Sequence, residues 1–474
     1  MGEIEAKKSN RTLILINVVL VTFMSTLQGS IIDVALPTMA RSLNVTTEAI
    51  SWVVTTFLIA VTSTILVFGK LGDIKGKIKI FQAGLIVFTL GSLLCGISTS
   101  YTALIFSRIV QAIGAACTMA NNQGIIAQTY PKNERGRALG ISGSFVALGS
   151  LVGPPLGGLI ISFLNWNYIF LVNVPIGIIV YLMGTKILPH DDDITAEKLD
   201  LKGAILLVTS IGLFFLAITV GRDIGFTNPA ILAGFAAAII SAVIFVRTEL
   251  GLEKPMLQFG IFANKLFSLS IFCSFTSFIA LSCVIIIQPF FLQYALKYTP
   301  AETGLIMMVS PVVMFVVAPL SGRLSDRIGS EFLTFLGLSI TSTALLLMST
   351  LTQYTSLLTL VAVIMIMSGG NALFQSPNTS LIMSTVTHDK LGIAGSINAF
   401  VRNLGMVFGT TMATILLYDF MSLNLGKHVA TLLPGYENAF IFGMKYVYIV
   451  AASICMIGAL LTVYRLYRRR LKRA

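Results

Sequence analysis

Long apolar stretches follow one another along nearly the whole chain, separated by short polar segments. Each stretch has about 20 or more residues, the length that an α-helix needs to cross the hydrocarbon core of a bilayer. Lipid leaves backbone groups no hydrogen-bond partners outside a helix, and no alternating barrel pattern is present. We therefore predict fourteen membrane-spanning helices, at residues 12–37, 48–68, 78–98, 101–128, 136–163, 168–187, 201–220, 229–246, 266–293, 300–320, 331–350, 355–384, 393–418 and 443–464.

The composition and the placement of charge agree with this pattern. Of 474 residues, 55% are hydrophobic and 11% are charged, whereas a soluble domain has about 25% charged residues. Most Lys and Arg residues lie in loops on the side of the two termini, and the opposite loops hold few. Basic loops stay in the cytoplasm, so we predict that both termini are cytoplasmic. This distribution also explains the net charge of +12 without a nucleic-acid partner.

Two polar segments divide the chain. The acidic segment 189–200 separates spans 6 and 7, and the linker 247–265 precedes span 9. We predict an N-terminal six-helix half at residues 1–188, linkers with an inserted pair of helices at 189–265, and a C-terminal six-helix half at 266–474.

An internal repeat supports this division. GKLGDIKG at residues 69–76 follows span 2, and GRLSDRIG at residues 322–329 follows span 10. Both fit G-x-L-x-D-x-x-G, and they lie 253 residues apart. Each copy therefore occupies the same place in its half.

Span 5 carries the most specific motif, ALGSLVGPPLGGLI. Gly149, Gly153 and Gly157 recur every four residues, and small residues at that spacing let two helix backbones approach closely. Pro154 loosens the helix at the same place. Generic packing explains the glycines but not the combination of Gly-Pro with the Gly-Gly pair at residues 157–158.

These motifs together resemble those of the major facilitator superfamily, and in particular its fourteen-span drug/proton antiporter branch. The loop repeat and the Gly-Pro motif are similar to the superfamily loop and to the antiporter signature. Further similar segments cover most of the chain: LQGSIIDVALP at 27–37, RIVQAIGAA at 108–116, NWNYIFLVNVPIG at 165–177, FQSPNTSLIM at 374–383 and RNLGMVFG at 402–409. The resemblance implies an all-α integral membrane protein with the major facilitator fold.

The resemblance also implies roles for the motif residues. It assigns a latch that stabilises one conformation to the loop motifs, and close helix packing to span 5. The residues concerned are Gly69, Asp73, Gly76, Gly322, Asp326 and Gly329 in the loops, and Gly149, Gly153, Pro154, Gly157 and Gly158 in span 5. An ordinary cytoplasmic turn is the simpler interpretation of each loop motif.

One position departs from that branch. Gln28 stands where the branch usually has an Asp, and an amide does not titrate. Asp33 and Arg108 are charged residues within predicted spans, where charge is expensive and usually functional. We predict that Asp33 carries the transported proton and that Arg108 sets how readily it does so. A permanent salt bridge, or an Asp33 that reaches external water, are the alternatives.

Polar residues in other spans are candidates for the wall of a substrate cavity. They are Gln28, Gln111, Met119, Asn122, Asn371, Gln375, Asn378, Asn398 and Arg402. For individual Asn and Gln residues, hydrogen bonding between helices is an equally good interpretation.

The sequence thus predicts a secondary transporter that exports drugs or other small amphipathic compounds in exchange for protons. The alternatives are a dedicated exporter of one metabolite, lipid or anion, and a membrane sensor that transports nothing. The sequence has no phosphate-binding loop, no metal-ligand spacing and no cofactor motif, so we predict neither an enzyme nor a cofactor or metal. We expect a monomer in a bacterial plasma membrane, with a small-molecule substrate, protons and the bilayer as partners.

Overall fold

The computed structural model describes residues 2–130, 132–189, 200–252, 255, 257, 259–386, 391–429, 431–432 and 435–471. Within these ranges the regular structure is helical, and no strand is present among the described residues. The acidic segment predicted to separate spans 6 and 7 lies largely outside the described residues, as does part of the second linker.

The α-helices follow the predicted apolar stretches closely. They are α1 (Gly2–Ser42), α2 (Thr47–Lys75), α3 (Lys77–Ile97), α4 (Tyr101–Thr129), α5 (Lys132–Phe163), α6 (Tyr168–Leu171), α7 (Asn173–Ile187), α8 (Leu201–Ile224), α9 (Pro229–Leu250), α10 (Lys265–Phe290), α11 (Pro300–Met307), α12 (Val309–Ile328), α13 (Ser330–Met348), α14 (Leu357–Ser384), α15 (Leu391–Leu425) and α16 (Glu437–Leu471). A short 3₁₀ segment, Phe259–Ala263, precedes α10, and a π-helical segment, Phe291–Ala295, continues it.

Fourteen segments in the described residues are long and apolar enough to cross a membrane, as predicted. Two of the predicted spans are interrupted helices, since α6 and α7 meet at Val172, and α11 and α12 meet at Met308. Large apolar side chains such as Phe106, Phe163 and Leu358 are more than half exposed. Apolar surface of this kind is stable only against lipid, so the prediction of a multi-pass membrane protein is confirmed.

The chain forms two compact units. The first contains Met1–Ile32 and Trp52–Gln258, and the second contains Asp33–Ser51 and Phe259–Ala474. In the first unit α3 packs against α4 and α7, and α8 packs against α9. In the second unit α10 packs against α15, and α13 against α14 and α16. The arrangement of two six-helix halves around an inserted pair stays a prediction.

The sequence repeat is also a repeat of backbone conformation. Gly76 is the N-cap of α3, with φ 101° and ψ 128°, and Gly329 is the N-cap of α13, with φ 94° and ψ 133°. These angles are open to glycine and strained for other residues. The last glycine of each loop motif therefore has a local role, turning the chain between two spans.

The helix packing repeats as well. A Cβ at Gly114 of α4 would lie within 2.6 Å of the Gly84 carbonyl oxygen on α3, and a Cβ at Gly370 of α14 would lie 2.8 Å from the Thr341 backbone nitrogen on α13. In each unit, two helices therefore approach closely at a glycine, which is Gly114 of α4 in the first unit and Gly370 of α14 in the second. The residues on α4 and α14 are 256 positions apart, close to the offset of the loop motifs.

Candidate functional site

Arg108 lies on α4 and is only 1% exposed. Its Nε donates to the Val53 carbonyl oxygen at 2.9 Å, and its Nη1 donates to Gln111 Oε1 at 2.6 Å. The guanidinium carbon lies 4.1 Å from the centre of the Phe57 ring. A buried charge is tolerated only when hydrogen bonds replace its hydration. The first unit therefore holds a positive charge in one fixed place.

Gln111 connects this charge to α3. Its Nε2 donates to Ser92 Oγ at 2.8 Å, and Ser92 in turn donates to the Phe88 carbonyl oxygen. A Cβ at Gly91 would lie 2.5 Å from the Gln111 backbone nitrogen, so only glycine permits this approach of α3 to α4. Gln111 is fully buried. In this conformation it positions Arg108 rather than lining an open cavity, and sequence reasoning missed Ser92.

Asp33 lies on α1 and is 8% exposed. It begins the part of α1 that belongs to the second unit. The carbonyl oxygen of the next residue, Val34, accepts a hydrogen bond of 3.0 Å from Gln293 Nε2 in the π-helical segment. Segments of this kind often occur at functional sites. The structure thus fixes the backbone beside Asp33, and the pairing of Asp33 with Arg108 stays a prediction.

Gln28 lies on α1, in the first unit, and is fully buried. Its Oε1 accepts a hydrogen bond from Asn173 Nδ2 on α7, whereas Gln28 Nε2 and Asn173 Oδ1 have no hydrogen-bond partner. Nearby, Asn17 of α1 donates to the Val180 carbonyl oxygen at 2.7 Å. Amides therefore join α1 to α7 where the resemblance implies a carboxylate. Sequence reasoning did not predict a role for Asn173, although this residue lies in the segment at 165–177 that carries part of the resemblance.

The other polar candidates on α4 differ in their surroundings. Asn122 is 9% exposed and donates to the Thr22 hydroxyl of α1. Met119 is half-buried. Asn378 of α14, which lies 256 positions after Asn122, donates to the Ser270 carbonyl oxygen of α10 at 3.0 Å. Each asparagine thus hydrogen-bonds its helix to another helix of the same unit, α4 to α1 and α14 to α10.

A group of polar residues gathers on α10, α14 and α15 of the second unit. Asn371 Oδ1 accepts from Ser277 Oγ at 3.4 Å and from Gln375 Nε2 at 3.1 Å. Asn398 Oδ1 accepts from Ser274 Oγ at 3.2 Å. Arg402 follows Asn398 by one turn of α15 and completes the group. The members are Ser274, Ser277, Asn371, Gln375, Asn398 and Arg402. We call these residues the α10–α14–α15 polar cluster.

The glycine face of α5 packs on α1. A Cβ at Gly157 would lie 2.7 Å from the Ile31 carbonyl oxygen, and one at Gly153 would lie 3.0 Å from the Ile31 backbone nitrogen. A Cβ at Gly149 would lie 2.9 Å from the Phe23 carbonyl oxygen. Ser30 Oγ donates to the Gly149 carbonyl oxygen at 3.0 Å. Pro154 and Gly158 are both buried beside this face.

In the two loop motifs the backbone is described throughout, but not every side chain is. Asp73 is exposed and forms an ion pair of 2.5 Å with Lys77 one turn later. A Cβ at Gly72 would meet the Asn121 amide of α4, and Gly69 faces Ala120 at 3.8 Å. In the second copy, a Cβ at Gly322 would lie 3.2 Å from Ser376 Oγ. The side chain of Asp326 lies outside the described residues, so the latch stays a prediction.

Fourteen apolar helices in the described part of the chain, several of which carry buried polar or charged side chains, define a multi-pass membrane protein. The sequence model of the Major Facilitator Superfamily matches residues 18–410 and 270–474. The chain belongs to this superfamily, and it is accordingly a transporter of small molecules.

Relatives of known type are similar along most of their length. The riboflavin transporter RibZ of Clostridioides difficile is 34% identical over 95% of this chain and 97% of its own. The multidrug resistance protein Stp of Mycobacterium tuberculosis is 30% identical over 90% of this chain and 80% of its own. The multidrug export protein EmrB of Haemophilus influenzae is 29% identical over 84% of this chain and 79% of its own. The resemblance to the multidrug branch is confirmed.

A solved structure shares the fold. It is a bacterial homologue of the human lysosomal transporter Spinster, in an inward-facing and unoccupied conformation. The TM-score is 0.66 with 17% sequence identity, and the alignment covers 96% of each chain. The predicted major facilitator fold is therefore confirmed.

Proposed function

We propose that the protein exports small amphipathic molecules in exchange for protons. The observation that carries this proposal is the α5 glycine face, which packs on α1 through Gly149, Gly153 and Gly157. These residues belong to the segment that resembles the signature of drug/proton exporters. The multidrug transporters Stp and EmrB among the relatives support the same activity.

In the proposed mechanism Asp33 takes up and releases the transported proton. Arg108 is the buried cation that sets its proton affinity, and Gln111 and Val53 hold the guanidinium in place. A change of conformation that alters the distance between the two charges changes the preferred protonation state of the carboxylate. Asp33 then alternates between a charged and a neutral form without a second acid.

A proton gradient supplies enough energy for this work. A charge that crosses 100 mV gains about 2.3 kcal/mol. At an assumed potential of about 150 mV, one proton supports a substrate gradient of about 300-fold. This is ample for an exporter that keeps a toxic compound at low internal concentration.

Transport by purified protein in proteoliposomes tests the proposal. Under an imposed pH gradient, the wild-type protein is expected to move substrate against its concentration gradient. Asp33→Asn should bind substrate normally but fail to move it uphill, because the amide cannot take up and release a proton as a carboxylate does. Uphill transport by Asp33→Asn that equals the wild-type rate would place the proton site elsewhere.

A dedicated exporter of one metabolite is the second candidate. Gln28 favours this candidate, because its amide, which accepts a hydrogen bond from Asn173, stands where the drug/proton antiporter branch usually has an Asp. The riboflavin transporter RibZ among the relatives favours it as well. A panel of drugs together with riboflavin, assayed in the same proteoliposomes, separates the two. Export of one compound alone supports the dedicated exporter, and export of several unrelated compounds supports the broader activity.

The remaining proposals concern the setting of the protein. We propose a plasma-membrane location with both termini in the cytoplasm and a monomer as the transporting unit. The excess of Lys and Arg in the loops on the side of the termini supports the orientation.

A further inference from the structure

The α10–α14–α15 polar cluster contains one charged group, Arg402. It lies on α15, about 16 Å along the helix from its first residue, and is half-buried. An arginine remains protonated in proteins, and a charge within a membrane span is expensive unless a partner compensates it. No described residue forms an ion pair or a hydrogen bond with the Arg402 side chain. Arg108, by contrast, is fully engaged by neighbouring groups.

The asparagine amides of the α10–α14–α15 polar cluster use their carbonyl oxygens for hydrogen bonds within the cluster. The Asn371 carbonyl oxygen already accepts two hydrogen bonds, and the Asn398 carbonyl oxygen accepts one. Asn371 Nδ2, however, is buried and has no hydrogen-bond partner. A buried donor without a partner costs free energy. The cluster thus combines a guanidinium with an amide donor that lacks an acceptor.

No described acidic side chain of the second unit forms an ion pair with Arg402, and three of these acidic residues are distant or paired elsewhere. Asp419 lies 17 residues further along α15, about 25 Å away, and is exposed. Glu302 caps the start of α11 through Thr299. Glu437 pairs with Lys297 at 2.8 Å. Arg402 is therefore left without a compensating negative charge among the described residues.

We propose that the α10–α14–α15 polar cluster binds the anionic group of the transported molecule, with Arg402 as the counter-ion and Asn371 as a second donor. This inference rests on the proposed transport function and narrows its substrate to amphipathic organic anions. The first unit has the uncharged Val146 on α5 at the position that corresponds to Arg402 by the offset of 256 residues found for the paired glycines and asparagines. This position is therefore charged in the second unit alone.

The test is equilibrium binding to purified protein in non-ionic detergent, measured by titration calorimetry with 2-naphthoate and its uncharged analogue 2-naphthamide. The wild-type protein is expected to bind the acid about ten-fold to a hundred-fold more tightly than the amide, as for hydrogen bonds to a charged group. Arg402→Gln should reduce this ratio to about one, and Arg402→Lys should keep part of it. Arg247→Gln, which removes an exposed charge from α9, is the matched control and should keep the full ratio.

Equal binding of the two compounds by the wild-type protein, or no binding of the acid, overturns the inference. So does a ratio that survives in Arg402→Gln. Short-chain dihexanoyl phosphatidylglycerol is titrated in parallel. Arg402-dependent binding of this lipid alone would assign the site to a lipid head group and would also overturn the inference. The binding assay needs no proton gradient, so it tests the anion site independently of transport. If the wild-type protein shows no proton-driven uphill transport but still binds the acid more tightly than the amide, proton coupling is refuted and the anion site is retained.

Discussion

A bulky residue at Gly157 should separate α5 from α1 and stop transport. The Cβ of an alanine there would lie 2.7 Å from the Ile31 carbonyl oxygen and 2.9 Å from Ile31 Cγ1, too close for either atom to remain in place. Overpacking of a tight contact costs about 1–3 kcal/mol, and the larger side chain of Gly157→Leu should cost at least as much. The two helices must then move apart, and the conformational change that depends on their contact should fail.

Gly143 of the same helix is the matched control. A Cβ there meets no atom within 4 Å, and the residue is exposed. Gly143→Leu should keep wild-type transport and thermal stability in detergent, and Gly157→Ala should fall between the two leucine variants. Both quantities are measured on protein that is confirmed to be inserted in the membrane. Equal stability and equal transport for Gly157→Leu and Gly143→Leu would refute the reasoning that this face needs glycine.

Further predictions test the orientation and the loop motif. In a variant without native cysteines, a single cysteine at residue 195 should resist a membrane-impermeant thiol reagent added to intact cells, and one at residue 435 should react. The reverse labelling pattern would contradict the fourteen-span orientation. Gly76→Ala should destabilise the protein by about 1–3 kcal/mol, because its φ of 101° is strained for alanine. Gly69→Ala, whose added Cβ meets only Ala120 at 3.8 Å, should have a smaller effect on the melting temperature.

The fold was predictable because lipid imposes a simple rule on sequence. An apolar stretch of sufficient length must be a helix, so the spans follow from hydropathy. The interruptions at Val172 and Met308 did not follow, since both lie in stretches that remain apolar. Gly76 and Gly329, whose φ angles are positive, could be identified from the sequence because both end the same short repeated motif.

The site was less predictable because residue type does not fix the direction of a side chain. Gln111 was predicted to line a substrate cavity. In the structure its amide bridges Arg108 of α4 and Ser92 of α3. The partner of Gln28 is Asn173, which lies 145 residues away. Rotation and packing of whole helices determine such pairs, and no local pattern encodes them.

Proton release on substrate binding tests the central claim most directly. Purified protein in weakly buffered detergent solution is mixed with a substrate identified by the transport panel, and the pH change is recorded. If the substrate and the proton exchange through Asp33, wild-type protein should release protons when substrate binds, and Asp33→Asn should bind substrate without release. Substrate binding by the wild-type protein without any release of protons would contradict the account.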